Sequence, residues 1–471
     1  MKAGAVTSGL FWKSFERILS QLISISVSIV LARLVSVEDY GLLAIVTLFV
    51  NILTLVLTSG VSDALVHKYD SDELDFSSMF WFNIGLGVCL YIFIFLLAPY
   101  ISIFFDEPKL TLIIRVLSVV LLLNSYSLVA CAYIVKRMMF KLYFWSTLVG
   151  KILSGIVGIV MALRGYGVWA LVAQLIVVII GESITLFFIV KWVPKFQFSW
   201  IRVKRLYKYS FFVMLGYLFS VMSDYLKNFF VAKFYPVTSL SYFNKGNEYP
   251  AVLVSNINTV MGNVMMPVMS ESQTEKDKIL RCLRNWVNTF SIIVIPVLVM
   301  VSIMAEPIVI VLLSDKWLGA VPYFKLACLV GIFSTLENPY LIAMKATGKA
   351  GIFTSIQTVK LIVSLLVTLF TLRYGIIAVA WGGVAYSLLT VIVNVVVGRA
   401  LFGYEIHLFL KDIIAASVFC SGLYFILCHT LTLNGLSLYL VQGTVCIFSY
   451  VIFVFLFKGR LIMDFIRSKV R

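Results

Sequence analysis

"KSFERILSQLISISVSIVLARLVSVEDYG" (residues 13–41) decides how this chain is read. Its middle is apolar enough to cross a bilayer, yet it holds Lys13, Glu16, Arg17, Gln21 and a run of serines. Lys13, Arg17, Ser20, Ser24 and Ser28 follow one another at steps of four, three, four and four residues, which lines them along one face of a helix. A helix that only anchors a protein has no use for such a face, because charged groups in hydrocarbon are costly unless they meet water or a partner. The stretch reads as one wall of a polar path through a membrane.

The composition agrees. The chain has 471 residues, is 61% hydrophobic and 13% charged, and has a mean hydropathy of +1.03. Soluble domains carry about 25% charged residues, so the fold class is an all-α polytopic membrane protein. A span needs roughly 20 apolar residues. About fourteen segments qualify, near 15–35, 41–62, 79–99, 112–133, 143–163, 168–190, 211–232, 249–269, 287–313, 320–343, 352–372, 376–397, 412–431 and 435–457. The one near 287–313 is overlong and holds Pro296 and Pro307, which predicts a kink or an early end. The first apolar stretch lacks a small-residue cleavage site and is expected to remain as the first span.

The net charge of +16 sorts by side of the membrane. With a cytoplasmic N-terminus, twenty-five of the 38 Lys and Arg residues fall in inner segments, seven in outer ones and six inside spans. That bias predicts a multi-pass protein with both termini in the cytoplasm, for which the cytoplasmic (inner) membrane is the expected location, and it removes the need for a nucleic-acid partner. Every loop is short, which leaves no extramembrane domain for catalysis. The seven cysteines form no CxxC pair and the three histidines are dispersed, so no disulfide framework, zinc site or other metal site is expected.

The chain repeats itself. A shift of 209 sets Lys136 on Lys345, Phe144 on Phe353, Ser146 on Ser355 and Lys151 on Lys360, with "LRGYG" (163–167) and "LRYG" (372–375) closing the two stretches. A shift of 205 sets Asn51, Thr54 and Thr58 on Asn256, Thr259 and Asn263; a shift of 200 sets Ser24 on Asp224 and Ser28 on Asn228. The expected organisation is a six-helix lobe over 1–195, a second over 196–403, and two further helices with a cytoplasmic tail over 404–471. An even number of spans per repeat makes the lobes parallel, with a site between them.

The polar residues inside spans are the candidate site. Ser24, Ser28, Asn51, Asn228, Asn256 and Asn263 form polar walls, although Ser and Asn also join membrane helices by hydrogen bonds. The intramembrane cations are Arg17, Arg115, Lys151, Lys227, Lys325 and Lys360. The acids are Glu182, Asp224 and Glu337, which are candidates for a coupling Na+ or H+; no other cofactor is expected. Asp224 and Lys227 stand one turn apart and can pair. Lys151 and Lys360 have no acid one turn away in their own helices, and each lies far from its helix ends, roughly 12 Å at 1.5 Å per residue. More cations than acids suits an anion such as pyrophosphate. No nucleotide-binding GxxxxGK[ST], zinc-protease HExxH or nucleophile elbow is present.

"SGLFWKSFERILSQLISISVSIVLARLVSVEDYGLLAIV" (8–46), through Trp12, Glu16–Arg17, Ser20–Gln21, Ala32–Leu34 and Glu38–Ala44, and "LRGYGVWALVAQ" (163–174) resemble bacterial polysaccharide exporters of the oligosaccharide flippase type. These belong to the multidrug/oligosaccharidyl-lipid/polysaccharide exporter superfamily, and the similar branch is that of colanic-acid and teichuronic-acid exporters. The resemblance implies two six-helix lobes in a V plus two extra helices. It implies a flippase that moves polyprenyl-pyrophosphate-linked oligosaccharide from the inner to the outer leaflet for O-antigen, capsule or exopolysaccharide assembly, with membrane lipid and other polysaccharide-assembly proteins as partners, and no enzymatic activity. Other readings are a cation-coupled organic-cation or drug exporter of the same superfamily, which calls for an acidic cavity; a membrane polysaccharide polymerase or ligase, which calls for a large catalytic outer loop; and a non-transporting scaffold, which leaves the intramembrane lysines unexplained.

Overall fold

Hydrocarbon offers backbone N–H and C=O groups no water, so a spanning segment must satisfy them internally, and a helix does so. The computed structural model describes residues 3–58, 65, 72–137, 139–190, 194–271 and 275–411, with scattered positions beyond. Every regular element among them is helical. The helices are α1 (Ala3–Leu34), α2 (Val37–Thr58), α3 (Glu73–Phe104), α4 (Leu110–Leu117), α5 (Val120–Lys136), α6 (Phe140–Leu163), α7 (Val168–Val190) and α8 (Trp200–Phe234). They continue with α9 (Val237–Glu271), α10 (Lys276–Ile303), α11 (Ala305–Leu313), α12 (Val321–Ala346), α13 (Ala350–Thr371) and α14 (Ile376–Phe402).

Among the described residues, 11 helical segments are long and apolar enough to cross a membrane. The predicted span near 211–232 lies in the more polar 35-residue α8. The predicted spans at 412–431 and 435–457 lie outside the described residues, apart from isolated positions. Two boundaries differ from the sequence reading for identifiable reasons. The stretch near 287–313 breaks at Met304 into α10 and α11, with Pro307 in the first turn of α11, where its missing N–H costs nothing. Helix α9 begins at Val237, well before the expected 249, because Pro250 is accommodated inside it.

The chain forms two compact units, Met1–Ser241 and Tyr242–Arg471. In the first, α6 packs on α7 and α1 lies on α6, around Val27, Leu31, Val35, Ala162, Ala170 and Leu171. Helices α3, α5, α7 and α8 share a second core that includes Met79, Val129, Ile134, Leu186 and Val203. In the second unit α12 packs on α10 and α14, and Phe243, Tyr323, Leu326, Ala380 and Val384 form a core.

Small residues set the closest approach. A Cβ on Gly181 would lie 2.8 Å from the Gly150 Cα, and one on Gly150 would lie 2.6 Å from the Val178 carbonyl oxygen. Glycine at both positions lets the backbones of α6 and α7 touch, as small residues do between membrane helices.

The repeat is visible in helix ends. α1 stops at Leu34 and α2 starts at Val37; α8 stops at Phe234 and α9 starts at Val237, a shift of 200 in both cases. Further along, Arg137 N–H bonds the Tyr133 carbonyl and Met139 N–H bonds that of Ile134, while Thr347 N–H bonds Ala343 and Lys349 N–H bonds Met344. The backbone at Met139 (φ −85, ψ 47) matches that at Lys349 (φ −85, ψ 44). These equivalences run at a shift of 210 rather than the 209 that aligns the lysines. Lys151 therefore corresponds to Leu361, and Lys360 to Gly150. One residue turns a side chain by about 100° around a helix, so the two lysines point in different directions relative to their helix partners.

Candidate functional site

The polar face of α1 is built as its spacing requires. Ser20 is buried and its hydroxyl donates to Glu16 Oε1 at 2.9 Å, one turn earlier. This leaves the Ser20 carbonyl and the Ser24 hydroxyl facing α6. Lys151 Nζ donates to both, at 3.2 Å to Ser20 O and 3.1 Å to Ser24 Oγ. Lys151 follows Gly150 and Glu182 follows Gly181, so the contact between the two glycines brings the lysine and the acid to one place. Glu16 and Glu182 both act electrostatically on the Lys151 ammonium. Tyr143 lies within the field of the same two carboxylates, and Cys131 Sγ is 4.0 Å from Glu182 Oε1.

Lys151 is half-buried and its two hydrogen-bond partners among the described residues are neutral. An ammonium has three donors, and these contacts use two. The arrangement is a cation held in place by α1, with two acids nearby and one donor direction left for an anion.

Lys360 differs. It is 8% exposed and its Nζ bonds Glu337 Oε1 of α12. The sequence reading gave these residues separate roles, one as a free cation and one as an ion-binding acid; the fold pairs them. An acid 23 positions away on a neighbouring helix satisfies the lysine that has none one turn away.

The other candidates are spread out. Lys227 Nζ bonds Asp224 Oδ1 at 2.9 Å, the expected one-turn pair, with the aspartate side chain largely exposed. The Arg115 guanidinium lies 4.2 Å from the centroid of the Phe95 ring, and its Nε donates to the Phe95 carbonyl at 3.4 Å. Arg17, Lys325, Asn51 and Asn263 are exposed, while Ser28 and Asn256 are half-buried. Asn228 Oδ1 is buried with no hydrogen-bond partner among the described residues. Sequence reasoning missed Glu16 as a member of the Lys151 cluster, although its one-turn spacing to Ser20 was a usable signal. It also assigned Lys245 to an outer loop, whereas Lys245 is buried within α9 against Glu248 at 2.8 Å and the Tyr249 ring.

The profile of a family described as "Polysaccharide biosynthesis protein" matches residues 30–322. The chain belongs to this polysaccharide biosynthesis family. Proteins of similar sequence include the succinoglycan biosynthesis transport protein ExoT of Rhizobium meliloti (strain 1021), 21% identical over 69% of this chain and 65% of ExoT. The aligned part therefore spans just under two thirds of ExoT. The teichuronic acid biosynthesis protein TuaB of Bacillus subtilis (strain 168) is 23% identical over 86% of this chain and 83% of TuaB. Lipopolysaccharide biosynthesis protein WzxC of Escherichia coli (strain K12) is 20% identical over 70% and 68%.

Among solved structures, the lipid II flippase MurJ in an inward closed conformation superposes with a TM-score of 0.77 at 17% identity, covering 96% of this chain and 100% of MurJ. An inward-facing MATE family multidrug transporter of the MOP superfamily has a TM-score of 0.63 at 13% identity, covering 83% and 98%. This polysaccharide biosynthesis family member thus has the fold of MOP superfamily transporters.

Proposed function

We propose that the protein is a flippase that moves a polyprenyl-pyrophosphate-linked oligosaccharide from the inner to the outer leaflet of the cytoplasmic membrane by alternating access. The product would serve surface polysaccharide assembly. The observation that carries this reading is the Lys151 centre: a cation fixed in a bilayer-spanning helix by two neutral oxygens, with a donor direction open to a pyrophosphate oxygen. Family membership and the transport and biosynthesis roles in the relatives' names support it. The lobes are taken as residues 1–195 and 196–403, with 404–471 as an appended helix pair, and both termini as cytoplasmic. The protein is read as a carrier with no chemical step of its own.

Coupling falls to Glu182 and its neighbour Glu16. These carboxylates face the substrate cation without bonding it, so a proton or Na+ there would compete with the Lys151 ammonium for the same field. Asp224 and Glu337 are already held by lysines. The test is reconstitution in liposomes with a fluorescent polyprenyl-pyrophosphate oligosaccharide, followed between leaflets with and without H+ and Na+ gradients. Protein-dependent movement that depends on a gradient is the expected result. No movement, beside a working control exporter, rejects the flippase reading and moves the weight to a cation exporter.

A further inference from the structure

The segment that joins α7 to α8 carries a second site, apart from the Lys151 centre. Its backbone is fixed at three points on α3: Lys195 N–H donates to Ser77 Oγ at 3.1 Å, Ser199 N–H to Ser78 Oγ at 3.0 Å, and Trp81 Nε1 to the Lys195 carbonyl at 2.9 Å. So anchored, the segment turns the Phe196 ring onto Trp81, stacked at 4.9 Å between centroids, while 92% of Phe196 stays exposed. Beneath it α3, α5 and α7 enclose an apolar crevice of about 560 Å³, lined by Trp81, Ile84, Leu123, Ile184, Phe188 and Phe196 among others. Ser183 at its inner end is occupied by a 2.5 Å hydrogen bond to Ser127.

The depth fits one leaflet. Ser183 lies about 10 Å inside the α7 end at Val190 at 1.5 Å per residue, against roughly 15 Å for half of a ~30 Å hydrocarbon core. The segment that contributes Pro194 and Phe196 to the lining leads into α8, whose first residues Trp200 and Ile201 are exposed. Lys195 is paired with Glu73, and Arg202 with Asp72 and Asp75. These two cations offset two of the three acidic charges of this corner, and Lys204 and Arg205 turn its balance positive. Lys204 and Arg205, one turn further on, are exposed and pair with no acid among the described residues. Exposed aromatics at an interface beside unpaired cations are what an anionic membrane surface attracts.

We propose that this crevice holds one acyl chain of an anionic phospholipid, whose headgroup phosphate sits against Lys204 and Arg205. A polyprenyl chain is longer than one leaflet is deep, and the crevice is not. The site therefore binds bilayer lipid, not the transported carrier, and it stands whether or not the flippase reading does.

The test uses the full-length protein in phosphatidylcholine vesicles with a trace of phosphatidylglycerol bearing a diazirine on its acyl chain. After photolysis, adducts are mapped by peptide mass spectrometry. Labelling is expected to concentrate on peptides carrying Trp81–Ile84 and Ile184–Phe196, above the exposed apolar residues Trp381, Leu388 and Ile392 of α14. The Lys204→Gln/Arg205→Gln variant should lose roughly thirtyfold of it, the size expected for two cations beside an anionic headgroup. Ile184→Trp, which fills the crevice, should lower it likewise while α14 labelling holds as the control for folding. Equal labelling of the crevice and α14 overturns the proposal, as does a phosphatidylcholine probe that labels the crevice as strongly. A polyprenyl-phosphate probe that displaces the phospholipid at equal mole fraction overturns the choice of occupant.

Discussion

In the first half of the chain Lys151 is half-buried and bonds two neutral oxygens of α1; in the second half Lys360 is buried and bonds the carboxylate of Glu337 on α12. The helices that carry them repeat one another, and sequence alignment makes the lysines equivalent. Cap hydrogen bonds place them one residue apart, so Gly150 stands where Lys360 does and Ser127 where Glu337 does. The repeat fixes how helices start, stop and pack, and a one-residue step decides which neighbour a charge meets. One lysine is left able to bind a ligand; the other is consumed in holding two helices together.

The largest expected effect lies at the consumed pair. Lys360→Met leaves the Glu337 carboxylate alone in a buried setting and should cost about 3–5 kcal/mol, read as lost folded protein in detergent. Lys360→Met with Glu337→Leu removes both charges and should recover most of that loss. If the single and double variants are equally stable, Glu337 is not dependent on Lys360 and the contrast between the centres fails.

Lys151→Ala comes next and should behave in the opposite way. Its loss removes the proposed charge-assisted substrate contact, worth about 1.5–3 kcal/mol, and so predicts a fall of tenfold or more in the proposed flipping, with folded protein at the wild-type level. A variant that loses stability in proportion to activity would make Lys151 as structural as Lys360.

Gly181→Val tests the packing that brings Lys151 and Glu182 together. The added side chain meets the Gly150 backbone, which cannot swing aside as a side chain could. Overpacking of this kind costs about 1–3 kcal/mol. Flipping should fall further than stability does, because α6 and α7 must separate and carry the acid away from the lysine. Equal losses would mean that the two glycines serve packing alone.

Much of this was legible in the residues. Bilayer thickness forces each span to declare itself as a long apolar run, and the spacing of Ser20 and Ser24 marked the α1 face that receives Lys151. Pairing across helices was not legible, because Glu337 and Lys360 are brought together by packing of α12 with α13, which no periodicity within either helix records. Nor was the one-residue offset, since Lys136 and Lys345 align as readily by type at 209 as the backbone does at 210. Glu16 was visible as a charge, but its role depends on Glu182, on another helix. Lys245 was misplaced because the span was started near 249, whereas the helix begins at Val237 and continues through Pro250.

An ion pair in water supplies the lower limit for the comparison. Arg202 bonds Asp72, the N-cap of α3, and the side chains are partly exposed at 35% and 52%. The guanidinium and, after it, the Asp75 backbone N–H hold the Asp72 carboxyl at about 2, below the ~3.9 of an unfolded aspartate. A lowered folded pKa means that the contribution is complete above roughly pH 4 and disappears as pH falls through about 2. Asp72→Asn keeps the capping acceptor and removes only the charge. It should cost under about 1 kcal/mol at neutral pH, as exposed pairs do, and its thermal midpoint in detergent should converge with the wild type between pH 4 and 2. A loss as large as that of Lys360→Met would mean that burial is not what separates the ion pairs of this protein. A gap that persists well below pH 2 would mean that the asparagine damages the cap itself, independently of charge.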